Sequence, residues 1–143
     1  MIKVMTFNIR MGLANDGMNH WRYRKSLALG RINAFKPDLL GIQECYDDEA
    51  QAGFLQQHLA GYEFYGVQRG GHSGAAMEMA PALVNKSSFR VLESGCFWLS
   101  ETPRQAASLS WDAAFTRTCL WFRLRHLVTR KELIFLTTHF DYQ

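Results

Sequence analysis

Residues 37–44, with the sequence PDLLGIQE, combine a Pro-Asp turn, a short apolar run from Leu39 to Ile42 and a terminal carboxylate, Glu44. A short apolar run between turn residues is typical of a strand that is buried on both faces. This stretch therefore predicts a buried strand that ends in a carboxylate.

The chain before this strand predicts another strand and a helix. Side chains alternate between two faces from Ile2 to Asn8, which is the period of a strand, and Asn8 falls at the strand's end. Asn19 is the predicted N-cap of a helix that stops at Lys36-Pro37. The apolar stripe of this helix consists of Trp21, Ala28, Ile32 and Phe35.

The chain after the central strand predicts a second helix and a third strand. Asp47-Asp48 begins the helix and Gly61 closes it. Tyr62 to Gln68 is the third strand, which leads into a glycine-rich loop. The inward face of the helix is expected to carry Phe54, Leu55, His58 and Leu59, and the loop glycines are Gly70, Gly71 and Gly74.

From Pro81 onward the pattern predicts strands without a repeat, a linker or an internal domain boundary. In one of these strands apolar residues alternate with Trp121, Arg123 and Arg125, which predicts one wet face. Trp121 is either a stacking surface for single-stranded nucleic acid or a packing residue under a flanking helix. The predicted strands are Ala82 to Asn85, Phe89 to Leu92, Phe97 to Leu99, Thr118 to His126 and Leu133 to His139.

Composition narrows the class of protein. A chain of 143 residues with 48% hydrophobic and 20% charged residues has enough apolar surface for one folded domain, which excludes global disorder. The net charge of +3 permits an anionic partner without requiring one. The three cysteines form neither a CxxC pair nor an even set, so we expect no zinc site, no disulfide framework and a reducing, cytoplasmic location.

Neither a secretory signal nor a membrane span is expected. The N-terminal segment lacks a charged flank followed by a long apolar core. No window approaches the ~18 apolar residues of a spanning helix.

Three polar residues stand at the ends of predicted strands: Asn8, Glu44 and His139. Strand ends on one edge of a sheet converge, and an amide, a carboxylate and an imidazole together suit a hard cation and a phosphate oxygen. Each residue also has a simpler interpretation. Asn8 is then a turn residue bonded to its own backbone, Glu44 a solvated or helix-capping carboxylate, and His139 a core histidine with satisfied nitrogens.

The motifs around these residues resemble those of the Mg-dependent endonuclease/exonuclease/phosphatase superfamily, in a bacterial branch related to deadenylases. The ordered set is more specific than any single motif, and it extends along the whole chain. The motifs are VMTFNIR at 4–10, PDLLGIQE at 37–44, FWLSETP at 97–103, WDAA at 111–114, Arg117-Thr118 and TTHFD at 137–141.

The resemblance implies a fold and a set of site residues. The fold is α/β (α+β), a four-layer α/β/β/α sandwich of two mostly antiparallel sheets flanked by helices, incomplete in this chain. Glu44 would be the Mg²⁺ ligand, with Mn²⁺ as a substitute, Asn8 a metal or phosphate contact, and His139 a donor to a non-bridging phosphate oxygen.

Three further residues are candidates for substrate contact: Glu78, Arg117 and Asp141. Glu78 would contact the substrate or orient the groups around the metal, against the alternative of a solvated loop charge. Arg117 would pair with a phosphate or with Glu44, against the alternative of a surface arginine.

The sequence departs from the family pattern in ways that bear on substrate and completeness. Val84 replaces a tyrosine and Tyr142 a second histidine, so both substrate contacts are expected to differ. The later Gly-Asp-Phe-Asn-type and Ser-Asp-His-type motifs, which would orient the attacking water and supply the general base, do not occur before Gln143. We therefore expect residues 1–143 to be the N-terminal portion of one domain whose C-terminal portion is missing.

That incompleteness has three expected consequences. No general base is assigned, since His20, His58, His72 and His126 are interpreted as structural or surface residues. The chain alone is expected to have little or no hydrolytic activity. An exposed sheet edge is expected to promote self-association, although the oligomeric state stays open.

The function expected from these motifs is Mg-dependent hydrolysis of a phosphoester, foremost a phosphodiester, by in-line attack of water. The partner is a phosphate-ester substrate, and nucleic acid is one of the classes left open. The alternative is a non-catalytic module that binds a phosphate ligand or a protein partner on the same scaffold.

Overall fold

The computed structural model describes residues 1–71 and 76–142, so that the predicted loop residues His72 and Gly74 lie outside the described residues. The described residues form two α-helices, α1 (Trp21–Phe35) and α2 (Phe54–His58). The strands are β1 (Val4–Asn8), β2 (Leu39–Gln43), β3 (Cys45–Tyr46), β4 (Tyr62–Tyr65), β5 (Glu78–Met79), β6 (Ala82–Asn85), β7 (Phe89–Trp98), β8 (Thr118–His126) and β9 (Glu132–Thr138).

The strands form two main sheets and a small ribbon. The first sheet has the order β1-β2-β6-β4, with β1 and β2 parallel and the other pairs antiparallel. The second sheet has the order β7-β8-β9 and is antiparallel throughout. The ribbon pairs β3 with β5. The prediction of a mixed α/β fold with mostly antiparallel sheets is confirmed.

Two apolar clusters separate three layers of structure. One cluster packs the helices on the first sheet through residues such as Ile32, Leu55 and Leu83. The other fills the space between the two sheets, with Val84 and Phe122 among its buried members. In residues 1–71 and 76–142 no helix covers the outer face of the second sheet, so the described layers are helix, sheet and sheet. The described part of the chain has no helix with the length and hydropathy needed to cross a bilayer.

The N-cap of helix α1 lies one residue later than predicted. His20, not Asn19, is the N-cap, because its Nδ1 accepts a hydrogen bond from the Arg22 N–H at 3.2 Å. The helix ends after Phe35, where Lys36 adopts a left-handed conformation with φ of 53°. Phe35 is exposed, so its assignment to the buried stripe is wrong.

The second helix is shorter than expected. Asp48 begins this helical region as predicted, since its carboxylate caps a π-helical turn by accepting from the Gln51 N–H at 2.7 Å. A π-helical turn at Glu49–Gly53 precedes α2, and α2 ends at His58. His58 is exposed, so the prediction that it faces inward is wrong.

The two short strands predicted between residues 89 and 99 are one strand, β7. An irregularity lies between Val91 and Glu93, near the predicted end of the first strand, and pairing with β8 continues after it. Trp121 of β8 lies over Gly95 of β7, where a Cβ would meet the indole nitrogen at 2.6 Å. Trp121 therefore packs on a neighbouring strand and, within the described residues, not under a helix.

The two sheets are in close contact near the ends of β2 and β9. A Cβ at Gly41 would collide with the side chain of Thr137. Two residues further on, the Gln43 side chain donates to the Thr138 carbonyl at 3.5 Å. This contact brings the C-terminal ends of two strands from different sheets together, and the residues that follow them are Glu44 and His139.

Asp38, at the start of β2, stabilises the fold in a pH-dependent way. Burial raises the pKa of its carboxyl, but hydrogen bonds from the Lys3 N–H and the Ser88 hydroxyl outweigh burial and leave the pKa below its usual value. A carboxyl with a lowered pKa stabilises the fold above its ordinary pKa and loses that effect as the pH falls through the folded-state pKa.

We expect Asp38→Asn to lower the free energy of unfolding by about 1 kcal/mol near neutral pH, because charge-assisted hydrogen bonds are lost. Urea denaturation across a pH series measures this, and the difference from the parent chain should shrink in acid. Asp112→Asn, at an exposed position, is the matched control. A difference that does not depend on pH would contradict the role given to the Asp38 charge.

Candidate active site

Asn8 and Glu44 lie side by side at the ends of the parallel strands β1 and β2. Asn8 pairs with Gln43 in the register of these strands, and Glu44 follows with a left-handed φ of 58° that turns it out of the strand. The Asn8 Nδ2 donates to Glu44 Oε1 at 2.8 Å, while the Asn8 Oδ1 accepts from the Arg10 N–H at 2.9 Å. The Asn8 side chain therefore makes both the turn hydrogen bond with the nearby backbone and the hydrogen bond with Glu44.

Glu44 is a partly buried, ionised carboxylate. Its side chain is 19% exposed, and Oε2 accepts from the Met11 N–H at 3.3 Å and lies 3.7 Å from the Arg10 guanidinium. Burial raises the pKa of Glu44, but the hydrogen bonds from Asn8 and Met11, helped by the charges nearby, outweigh burial and lower it below the usual value. The carboxylate is thus held in its charged form at neutral pH.

His139 approaches Glu44 from the other sheet, one residue beyond β9. Its Nδ1 lies 3.2 Å from Nη1 of Arg117 and 3.9 Å from Oε1 of Glu78. Burial lowers the pKa of His139, and the positive charge of Arg117 lowers it further. The imidazole is therefore neutral near pH 7.

Glu78 is buried beneath the site with two arginines. Its Oε1 lies 3.1 Å from Arg69 and 3.9 Å from Arg117. Burial raises the pKa of Glu78 and lowers that of Arg69, so for both groups the cost of desolvation exceeds the gain from pairing. Such a buried ion pair shapes the site more than it stabilises the fold. The alternative of a solvated loop charge at Glu78 is wrong.

Arg117 is also buried, with a side chain that is 6% exposed, so the alternative of a surface arginine is wrong. Its Nη2 lies 3.4 Å from Oδ1 of Asp141, and its Nη1 faces His139 and Glu78. Asp141 in turn accepts from the Ala114 N–H at 2.7 Å. Among the described ion pairs it is Arg10, not Arg117, that lies beside Glu44.

These side chains surround one open cavity of about 300 Å³. Four of the six residues singled out in the sequence line it, while Asn8 contacts the lining residue Glu44 and Asp141 contacts the lining residue Arg117. The cavity is lined by Arg10, Met11, Glu44, Arg69, Glu78, Phe115, Arg117, His139 and Tyr142.

Sequence reasoning missed three of the lining residues that matter for charge and shape. Arg10 belongs to the first motif and Phe115 adjoins WDAA, so both had a local signal. Arg69 has none, because its position beside Glu78 follows from a contact between separate segments. Tyr142 lines the cavity, whereas Val84 is buried between the sheets and is not among the lining residues.

The model of the Endonuclease/Exonuclease/phosphatase family matches residues 5–129. The chain belongs to this family. The family includes phosphatases and nucleases and generally depends on a divalent metal ion. No curated protein sequence matches the chain.

Solved structures of this family superpose on nearly the whole chain. An endonuclease/exonuclease/phosphatase from Bacteroides vulgatus is 33% identical to this chain and superposes with a TM-score of 0.89. The match covers 99% of this chain and 53% of the Bacteroides vulgatus chain. The mannosyl-6-phosphatase of Bacteroides thetaiotaomicron is 28% identical with a TM-score of 0.87, covering 99% and 52%. The human Nocturnin catalytic domain, at 20% identity and a TM-score of 0.76, shares the fold, with coverage of 99% and 50%. The chain spans about half the length of these proteins.

Proposed function

We propose that this chain supplies Glu44 and His139 to a Mg-dependent active site that hydrolyses a phosphoester, foremost a phosphodiester. The observation that carries the proposal is the meeting of an ionised carboxylate and a neutral imidazole, from different sheets, at one cavity. Membership of the family and the phosphatase among the similar structures support the reaction class.

The cavity has the charges that a phosphate group requires. Arg10, Arg69 and Arg117 contribute three guanidinium groups against the carboxylates of Glu44 and Glu78. Arg10 is the exposed one, with 55% of its side chain accessible, whereas Arg69 and Arg117 lie beneath the surface. The Arg10 Nε and Nη2 donate to the two carboxylate oxygens of Asp16, at 2.9 and 3.1 Å, which leaves Nη1 for a further acceptor. We therefore assign direct phosphate contact to Arg10 through Nη1, as a charge-assisted hydrogen bond.

The donor set fits a hard cation that keeps most of its water. In residues 1–71 and 76–142 no cluster of three or more His, Cys, Asp or Glu side chains is arranged to hold a metal. Among the described residues, Glu44 is the carboxylate that we assign to the ion, since Glu78 is paired with Arg69. One carboxylate suits Mg²⁺ because this ion retains several waters and accepts substrate oxygens. Mn²⁺ is a reasonable substitute on the same grounds. When bound, the ion supplies positive charge to the phosphate and acidifies a bound water.

Asn8 and His139 have separate tasks in this proposal. The Asn8 oxygen accepts from the Arg10 N–H and its nitrogen donates to Glu44, so Asn8 holds Glu44 in place; its direct contact with metal or phosphate stays a prediction. His139 donates a hydrogen bond to a non-bridging oxygen, whose charge grows during in-line attack. Glu78 and Asp141 support these groups through Arg69 and Arg117.

The general base stays unassigned within the described residues. His20 caps α1 and His126 contacts Thr129, both outside the cavity. That residues 1–143 form one portion of a larger domain, inactive alone and prone to self-association, stays a prediction, as does a cytoplasmic location. The half-length coverage of the similar structures supports the first of these.

Magnesium titration tests the proposal on the chain as it stands. We expect Mg²⁺ to raise the thermal midpoint of the parent chain, since a ligand at 100 times its Kd stabilises a protein by about 2.7 kcal/mol. Glu44→Gln removes the charged ligand and should abolish the shift. Glu101→Gln, which changes an exposed carboxylate of the same type, should leave the shift intact.

The same titration distinguishes the proposed function from the alternative of a non-catalytic binding module. A chain indifferent to Mg²⁺, or one in which Glu44→Gln responds as the parent does, would refute the metal site. The scaffold would then be interpreted as a non-catalytic module that binds a phosphate ligand or a partner.

A further inference from the structure

The partner of His139 Nδ1 determines where the imidazole proton resides. That partner is Nη1 of Arg117, at 3.2 Å. A guanidinium has only donors and stays protonated in proteins, so it cannot accept a hydrogen bond. Nδ1 of His139 is therefore the acceptor, and a neutral ring must carry its proton on Nε2.

We infer that Arg117 is a positioning residue that fixes His139 as the Nε2–H tautomer. The tautomer itself does not depend on the proposed function. Its consequence does rest on that function: the nitrogen left to contact a phosphate oxygen is a hydrogen-bond donor. Nδ1 faces the buried Arg117 and Glu78, while the His139 side chain is 26% exposed and lines the cavity. Nε2, on the opposite side of the ring, is the nitrogen left for the ligand.

This arrangement is the reverse of the one that produces a histidine base. A carboxylate beside Nδ1 would place the proton there and leave Nε2 as an acceptor for a water proton. The nearest carboxylate, Glu78, is 3.9 Å from Nδ1, which is too long for a hydrogen bond. Its short contact, at 3.1 Å, is with Arg69. His139 is thus positioned to donate a hydrogen bond from its Nε2–H group and not to accept a proton.

Arg117 is itself held by the segments that flank the site. Asp141, two residues beyond His139, lies 3.4 Å from its Nη2. Asp141 also accepts hydrogen bonds from the N–H groups of Ala114 and Tyr142, at 2.7 and 3.0 Å. The guanidinium lies 5.6 Å from the Phe115 ring centroid. These contacts fix the distance between Arg117 and His139 because they tie the segment before β8 to the segment after β9.

Nitrogen NMR of the chain labelled with ¹⁵N-histidine tests the inference without substrate or metal. The His139 signals are identified by their loss in His139→Gln. Above the usual histidine pKa, we expect a pyridine-type Nδ1 and a pyrrole-type Nε2 in the parent chain. A pyrrole-type Nδ1 in the parent chain would overturn the inference, whether or not any variant folds.

Variants at Arg117 separate its role from a purely structural one. In Arg117→Gln the donor-only cation is gone and Glu78 is the nearest ionisable group, so the Nδ1 signal should move toward the protonated type. Arg117→Lys retains a donor-only cation and should keep Nδ1 unprotonated. Arg123→Gln, on the strand that follows Arg117 but bonded to Glu93 and Glu132 at the surface, is the matched control and should change nothing.

An unprotonated Nδ1 in folded Arg117→Gln would also overturn the inference. Failure of the proposed function gives a different pattern. A chain that does not bind Mg²⁺ but shows the expected tautomer refutes the metal site and leaves the role of Arg117 intact.

Discussion

Phe122→Ala is expected to lower the free energy of unfolding by about 3–5 kcal/mol, the usual cost of truncating a buried phenylalanine. Phe122 is 1% exposed in the cluster between the two sheets. Its ring packs edge-on against Tyr65 at 5.0 Å and stacks with Phe135 at 6.0 Å. Since a domain of this size is stable by only about 5–15 kcal/mol, this single truncation removes a large share of the total. Urea denaturation followed by tryptophan fluorescence measures the loss.

The control for this prediction lies on the neighbouring strand. Ile134 of β9 pairs with Arg123 of β8 but points to the outer face of the second sheet and is 57% exposed. Ile134→Ala should change stability by no more than about 0.5 kcal/mol. Equal losses in both variants would mean that the cluster between the sheets does not hold them together.

Gly41→Ala is expected to destabilise the chain by about 1–3 kcal/mol, the usual cost of overpacking. The added methyl would collide with the side chain of Thr137. The collision occurs where β2 approaches β9, next to the residues that precede Glu44 and His139. The variant should therefore also weaken the Mg²⁺-dependent rise in the thermal midpoint, because the two sides of the cavity are pushed apart.

Two comparisons isolate the steric origin of this loss. Gly30→Ala changes a glycine of α1 that has no atom within 4 Å of the added Cβ, so we expect a gain of about 0.5–1 kcal/mol from helix propensity. The double change Gly41→Ala with Thr137→Gly removes the hydroxyl oxygen and Cβ of Thr137 that the added methyl would meet, and it should recover much of the stability. Without such recovery, a collision between Gly41 and Thr137 is not the cause.

Local sequence was sufficient to predict the bounds and the buried faces of strands with a clear alternation of side chains. The strands over 82–85 and 118–126 have the predicted bounds, and the alternation in the latter correctly separates buried Leu120, Phe122 and Leu124 from the wet face. It was insufficient where polar residues interrupt a strand or a helix. Residues 93–96 fall between two predicted strands, yet pairing with β8 and the Trp121 ring over Gly95 keep β7 continuous.

Part of the candidate site could also be predicted from local sequence, because two of its residues lie at the ends of predicted strands. Asn8 and Glu44 end two strands that a single crossover helix joins, and parallel neighbours bring their ends to one edge. The partners of Arg117 and Glu78 were not readable. A buried arginine and a surface arginine look alike in a sequence, and only packing against other segments distinguishes them.

The sequence by itself determined the order of the main elements, the residues at their ends and the family, because periodicity and short motifs are properties of local chain segments. Only the tertiary structure decided that β2 and β9 meet across two sheets, that Arg69 lies against Glu78, and that Arg117 holds Nδ1 of His139. These contacts join segments that are distant in the chain. Their geometry depends on how two apolar clusters pack the layers together, which no single segment encodes.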